Sequence, residues 1–439
     1  MLGRSFWELY SLLGLGGYMS EKKQWDWETS EKKIADYSDW KQKFNWVEEP
    51  YVSPDGEKIA SIVNIDEGEF SVCVNGEAWE DTFDKIWRLR FTPNNHSSAI
   101  VSDMGEWTMA IDGEAWENKF DYVWNPLFSE DGKNIVAAVQ QGMQYGVAVN
   151  GIPWSKLFVN ATEIAINPSG SKTAATVQVE DLGQADLEKF KRGIFSVAID
   201  GKPWDQTFVN VWKKTFNTAG DRLAAEVRLN LYDYTIAVDG KPWKEIFASV
   251  WTPTFHPTKN TVLAPVRTEG KWTLAEDGKI IWGTKFFQLW NQMVSPNSTT
   301  IAAIVATQFG RWTMALDGVP WYATFGEMIT EPVFSPSGTR LAVLGKDKGK
   351  WYVMVDGDIW KNSFDMAWKP VFSPNGQYVA TKVESKGKYT LAVNDCLWKR
   401  VCDACWEPEF SPCGEKILCR TIENGTYYRR VIPVQEIVK

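Results

Sequence analysis

From Trp40 to the end of the chain, short apolar runs alternate with turn-forming residues in a pattern that hardly changes. Ile135-Val136-Ala137-Ala138-Val139 is representative: it is too short for a helix and rich in the β-branched types that suit a pleated strand. Two kinds of turn separate the runs. Asp-Gly or Asn-Gly, as in Ile111-Asp112-Gly113, supplies the positive φ of a tight hairpin, and Ser-Pro-x-Gly, as at Ser373 to Gly376, sets a second turn with proline and glycine in their favoured places. The fullest unit runs from Val355 to Val383. It reads as strand, Asp-Gly turn, strand carrying Trp360, Phe364 and Trp368 at intervals of four, then Pro370, a Ser-Pro-x-Gly turn and another strand. Variants of it recur about every 38 residues.

Counting two anchors gives the number of units. Asp/Asn-Gly-x-x-Trp-x-x-x-Phe has seven clear copies, from Gly76/Trp79/Phe83 to Gly357/Trp360/Phe364. A looser copy lies at Gly278/Trp282/Phe286, a degenerate one at Asp395/Trp398/Cys402, and a lone front half at Trp40/Phe44. Pro-x-Phe-Ser-Pro-x-Gly is clearest from Pro332, Pro370 and Pro408, with worn copies starting at Pro50, Leu89, Pro126, Ile164, Lys214, Pro253 and Gln292. Ten copies of each predict ten four-stranded units, and a lone four-stranded sheet cannot bury both faces, so neighbours must stack. The chain enters at Trp40 with the second half of a unit and leaves after Tyr427 to Gln435 with the first half; combined, these halves close a ring without free edges. The expected fold is all-β, a single closed β-propeller of about ten blades over residues 39–439. Fewer blades, two smaller rings or an open array share the same count.

Two stretches break the repeat. Residues 1–38 are expected to form a docking or capping arm: Leu2, Phe6, Leu9, Tyr10 and Leu13 fall on one face at helical spacing, Gly14, Gly16 and Gly17 stop the helix, and a charged segment carries Trp25 and Trp27. Phe6, Trp7, Tyr10, Trp25 and Trp27 have no repeat partner, which makes them the candidate partner-binding residues. The second break, Val179 to Arg192 in the fourth unit, inserts about a dozen residues rich in Asp, Glu and Lys and is expected to project from one face.

Composition adds one unusual number, 25 tryptophans. Ten occupy the Trp-x-x-x-Phe position, seven the Trp-x-Pro position, and Trp107, Trp272, Trp312 and Trp351 start the strand before the Asp-Gly turn; 21 of them are therefore scaffold residues, read as sheet-to-sheet packing rather than an electron-hopping chain. A net charge of −9 without a run of basic residues argues against nucleic acid and anionic membrane surfaces. No apolar stretch reaches membrane-spanning length, and Glu8 interrupts the apolar run from Phe6 to Met19, with no cleavage site following; a cytoplasmic location is expected.

Reactive chemistry is sparse. His96 and His256 sit in equivalent turns, and no phosphate loop, nucleophile elbow or dinucleotide fingerprint occurs in context, so no catalytic residue and no cofactor is assigned. Cysteine is the exception, with five of six between Cys396 and Cys419. Cys402-Asp-Ala-Cys405 has metal-ligand spacing, with Cys396 and Cys413 as further candidate ligands for zinc or an iron–sulfur cluster. The competing reading is packing: Cys402 replaces the buried Phe of the repeat and Cys405 the position of Val123, Val211 and Val250, and three-residue spacing on one strand sends their thiols to opposite faces.

Phe334-Ser335-Pro336-Ser337-Gly338 followed by Leu341-Ala342 resembles the WD40-like repeats of TolB-type propellers, without the Gly-His and Trp-Asp signature of true WD40 repeats. With Asp-Gly-x-x-Trp-x-x-x-Phe added, the whole chain is similar to the TmcD family, the tryptophan-rich subunits of the Tmc transmembrane electron-transfer complexes of sulfate-reducing bacteria. That resemblance implies a cofactor-free, non-catalytic scaffold, cytoplasmic and peripheral to the inner membrane. The partners it implies are an iron–sulfur protein, a membrane cytochrome b and a multihaem cytochrome c. A TolB-like peptide-binding adaptor and an enzyme with its site in the ring's channel are the alternatives.

Overall fold

The computed structural model describes residues 24–182 and 186–438. Its strands form ten antiparallel sheets, each one blade. In blade 3, Tyr122–Phe128, Ile135–Gln141, Gln144–Val149 and Ile152–Pro153 pair in chain order. The short fourth strand is followed by the Phe of the Trp-x-x-x-Phe anchor, which bridges back to the start of a third strand. Trp107 pairs with Phe120, Tyr145 with Phe158 and Trp351 with Phe364 in this way, so the aromatic at that third periodic site faces another ring. The second strands are apolar on both faces because both are covered, and ten separate apolar clusters fill the ten interfaces, including the one between last and first blades. The ring is closed.

The turn residues do more than bend the chain. Asp112 and Gly113 both have positive φ (48° and 96°), as a tight hairpin turn requires, and the Asp112 carboxylate accepts a hydrogen bond from the Ser97 N–H at 2.8 Å. Asn150 and Asp356 do the same for Ile135 and Leu341, each satisfying the first N–H of the second strand. In the other turn the serine is buried: the Ser373 hydroxyl donates to Asn375 Oδ1 at 2.6 Å and accepts from the Tyr378 N–H at 2.9 Å. His256 stands in this serine's place, its Nδ1 within 3.3 Å of the Lys259 N–H, and burial holds its pKa below the usual value. It belongs to a turn.

Blades interlock head to tail through the same anchors. The Trp of one blade lies under the glycine of the next blade's hairpin: a Cβ on Gly113 would meet Trp79 Cγ at 3.2 Å, and one on Gly151 would meet Trp116 Cβ at 3.0 Å. Glycine is needed there twice over, for its φ and for its missing side chain.

The closing strand differs from expectation. Ser30–Asp36, inside the stretch read as an arm, pairs antiparallel with Thr426–Pro433 and completes the last blade, which moves the start of the propeller forward from residue 39. Trp40 is in a short helix, Tyr37–Lys43, yet it still packs beside Gly76 of the first blade as its repeat position demands. The strand escaped recognition because it is the outermost one, where alternate residues face water and only Ile34 and Ala35 are apolar. Buried arginines fasten the seam. Arg429 pairs with Glu57 at 2.9 Å, Arg430 with Glu31 at 3.0 Å and Glu423 at 2.8 Å, and the Tyr427 hydroxyl donates to the Gly56 carbonyl. The insertion carries a one-and-a-half-turn helix, Leu187–Arg192, capped by Asp186 and with no buried residue.

Two measurements test this account. Gly105 and Gly151 have nearly equal φ (83° and 82°), but a Cβ on Gly105 meets nothing. Gly105→Ala is expected to cost about 1 kcal/mol from backbone conformation alone. Gly151→Ala is expected to cost about 1–3 kcal/mol more from the clash with Trp116, read by chemical denaturation; equal losses would refute the interlock. A chain starting at Ser30 is expected to melt cooperatively, whereas one starting at Ser38, lacking the closing strand, is expected to melt at lower temperature and self-associate in sedimentation runs.

Candidate functional site

First strands of neighbouring blades touch one another, as Asn160–Ile166 does Asn210–Phe216, so they form the wall of the central channel. Each is a sheet edge and each is irregular. In six blades the register slips, as between Trp124 and Leu127, and in the other four the strand splits in two around Glu49-Pro50, Thr252-Pro253, Lys369-Pro370 and Glu407-Pro408. Arg88, Asn125, Glu163, Asn291 and Glu331 occupy this bulge with φ between 51° and 56°. The proline after the bulge is tolerated because an edge strand's outward N–H has no partner to lose.

The bulge position is where the blades cease to be alike. Around the ring it carries Glu49 then Arg88, Glu163 then Lys213, and Glu331 then Lys369, an acid followed by a base on the next blade. Glu163 meets Lys213 at 2.6 Å. Burial pushes Glu331 up and Lys369 down, with each favouring the other's charged form. Two further charges lie deeper. Lys214 replaces the proline, and its ammonium donates to the Glu163 carbonyl of the preceding blade at 2.5 Å. Gln292, at the same position, reaches the Thr252 carbonyl at 2.7 Å. Both side chains satisfy a carbonyl that the bulge removes from the ladder. Burial lowers Lys214 to about 7 and raises Glu226, on the adjoining second strand, to about 8.

One end of the ring is aromatic. In seven blades the Trp of Trp-x-Pro pairs with the ring that starts the third strand, from 4.6 Å for Trp87–Trp107 to 6.2 Å for Trp124–Tyr145. Trp107, Tyr122 and Trp124 continue the series across two blades at 5.3 and 5.8 Å. These residues are at the end where second strands turn into third strands, and large apolar side chains are displayed there: Trp87 is 44 % exposed, Trp251 43 %, and the hairpin tips Met104 and Phe309 90 % and 94 %.

The sequence-assigned residues fall elsewhere. Phe6, Trp7 and Tyr10, with the expected helix over Leu2 to Leu13, lie outside the described residues. Trp25 and Trp27 stack at 6.0 Å at the opposite, Ser-Pro-x-Gly end, where the Trp27 carbonyl accepts from Lys416 and the Asp26 carbonyl from Arg429. Cys402, Cys405 and Cys419 are buried together in one cluster, with Cys396 packed against it, while Cys413 sits exposed in a turn against Ser411. Cys402 and Cys405 do not point to opposite faces. The chain passes from one blade to the next between them, so they meet across an interface instead of sharing a strand. Burial drives the Cys402 thiol up and the Cys405 thiol to about 12. Among the described residues no group of three or more His, Cys, Asp or Glu is placed to hold a metal.

The chain is an all-β propeller of ten blades. No protein-family model matches it, and no curated protein matches it in sequence. Among solved structures, a eukaryotic initiation factor aligns at 12% identity over 74% of this chain and 90% of its own, with a TM-score of 0.46. The β-propeller domain of Cps50 (Swd1) from Myceliophteria thermophila aligns at 13% over 61% and 95%, with a TM-score of 0.31. Both scores are low, and the fold is read from the ten sheets themselves.

Glu226 supplies a pH test. Its folded pKa, about 8, lies above its ordinary value of 4.5, so the folded chain binds the proton more tightly and loses stability as pH rises through that window. Glu226→Gln removes the loss: the variant is expected to melt above the wild type at pH near 9 and level with it at pH near 4. Equal melting temperatures at both pH values would show that Glu226 ionises as freely as an exposed acid.

Proposed function

We propose that the chain is a non-catalytic scaffold that docks proteins through the aromatic end of its ring. The observation that carries this is the display of Trp87, Trp251, Met104 and Phe309 at the same end of the ring, on blades 2, 6 and 7, because exposed aromatic and methionine side chains are what protein interfaces bury. Propellers commonly serve as interaction modules, and ten blades offer a wide annular surface for one. The similarity to the TmcD family supports a finer reading: a cytoplasmic subunit, peripheral to the inner membrane through its complex, beside an iron–sulfur protein, a membrane cytochrome b and a multihaem cytochrome c. Among the described residues no helix is long and apolar enough to cross a membrane. A channel enzyme has one observation in its favour, the shifted Lys214 and Glu226, since displaced pKa values gather at reactive sites. A TolB-like adaptor would use the same aromatic end.

Full-length protein recovered through an affinity tag from its native membranes is expected to bring cytochrome and iron–sulfur partners with it. Met104→Ser combined with Phe309→Ser, both at solvent-exposed tips, is expected to leave the melting temperature unchanged and lower partner recovery about tenfold. Undiminished recovery would refute docking at that end, and recovery of partners without redox centres would refute the complex while keeping the scaffold.

A further inference from the structure

At the seam of the ring the last, first and second blades border an open cleft of about 420 Å³, lined on one side by Tyr51, Val52 and Pro54, on another by Arg88 to Phe91, and on the third by Trp406 and Arg420. Its chemistry is unlike that of the rest of an acidic protein. Three arginines converge on it, and the remaining lining is aromatic or aliphatic.

Arg420 is the unusual member. It is 6 % exposed, and it occupies the second-strand position that holds Ile62, Ile100, Ile304 and Leu344 in other blades. Its guanidinium donates to the carbonyls of Ser53 and Pro54 at 3.0 Å and of Glu407 at 2.5 Å, while its Nε has no hydrogen-bond partner. The neighbouring buried arginines of the seam are matched by carboxylates, Arg429 by Glu57 and Arg430 by Glu31 and Glu423. Among the described residues Arg420 has no carboxylate partner. Carbonyl dipoles orient a guanidinium without cancelling its charge, and a buried charge without a counter-ion is held at a penalty that an incoming anion removes. The fork of an arginine matches a carboxylate in two parallel hydrogen bonds. Glu49 and Glu407 stand at the bulges of the first and last blades, so the cleft is not uniformly basic. The single guanidinium without a carboxylate calls for one anionic group, not a polyanion.

We propose that this cleft is a binding site for an organic monocarboxylate, its carboxylate between Arg90 and Arg420 and its apolar or aromatic body against Tyr51, Phe91 and Trp406. The volume suits a small organic molecule. The site does not depend on the scaffold reading: it shares Trp406 with the aromatic series but uses none of Trp87, Trp251, Met104 and Phe309.

The test uses full-length protein and ligand-observed NMR with 3-phenylpropionate as the probe. The neutral 3-phenylpropionamide and inorganic phosphate serve as controls, and N-acetyl-phenylalanine stands for the carboxylate end of a peptide. Phenylpropionate is expected to bind with a dissociation constant below about 10 mM, and the amide and phosphate about tenfold more weakly or not at all. Tighter binding of N-acetyl-phenylalanine assigns the site to a peptide terminus, and tighter binding of phenylpropionate to a free acid; either supports the site. Arg420→Lys is expected to weaken the probe about tenfold. Because Arg420 also holds three carbonyls, Arg90→Gln is the second variant, expected to weaken binding about tenfold at a temperature where its melting curve shows it fully folded. No saturable binding to the wild type, equal binding of acid and amide, or unaltered affinity in Arg90→Gln would each overturn the proposal.

Discussion

Every blade depends on a contact it makes with another. The indole of the Trp-x-x-x-Phe anchor has no place within its own sheet; it lies beneath the glycine of the next blade's hairpin, where the absence of a Cβ gives it room. The aspartate or asparagine before that glycine caps the next blade's second strand, so one dipeptide fixes a turn, satisfies a backbone donor and seats a neighbour's side chain. Composition follows from this. The chain is rich in tryptophan because each interface consumes one, and the residue before the first-strand bulge adds another in seven blades. In a head-to-tail arrangement the same surfaces meet at each step, which is why a near-identical unit can be used ten times.

Where the ring meets itself, that economy breaks down. The last interface joins strands from the two ends of the chain, and it is there that Arg429 and Arg430 stand, buried, where other blades have apolar residues. Their partners come from the first blade and from the closing strand, so the polar contacts discriminate this seam from the nine others. A closing strand that slipped onto a different blade would leave Arg429 and Arg430 buried without carboxylates, which is far more costly than losing an apolar contact.

How much of this could be read beforehand depended on periodicity. Ten units, the hairpin role of Asp-Gly and the scaffold role of the tryptophans follow from residues that recur, and Asp112, Gly113 and Trp116 do what their spacing suggests. The closing strand was illegible because an outermost strand half in water shows little apolar pattern, and Ser30 to Asp36 reads as a charged linker. Cys402 and Cys405 were misplaced by treating neighbours in sequence as neighbours on one strand, although the chain changes blade between them. The charged residues of the channel wall leave only an indirect trace. Lys214 in a proline's place, and Glu226 and Arg420 at a position that four other blades fill with isoleucine or leucine, are buried departures from the repeat, and such departures are the places to look for function in a repeat protein.

The seam also decides how the ring can come apart. Nine interfaces are bridged by the chain running directly from one blade to the next, whereas the closing strand is tethered to the first blade only through the short segment Tyr37–Lys43 and reaches the last blade by pairing alone. It therefore behaves as a ligand attached by a brief leash, bound at an effective concentration in the millimolar range. Unzipping it is the one way to open the circle without breaking a blade, and a second molecule's strand at comparable concentration is its natural competitor. The protein consequently carries, next to its arginine-lined cleft, the single joint at which the circle breathes or exchanges strands with another copy.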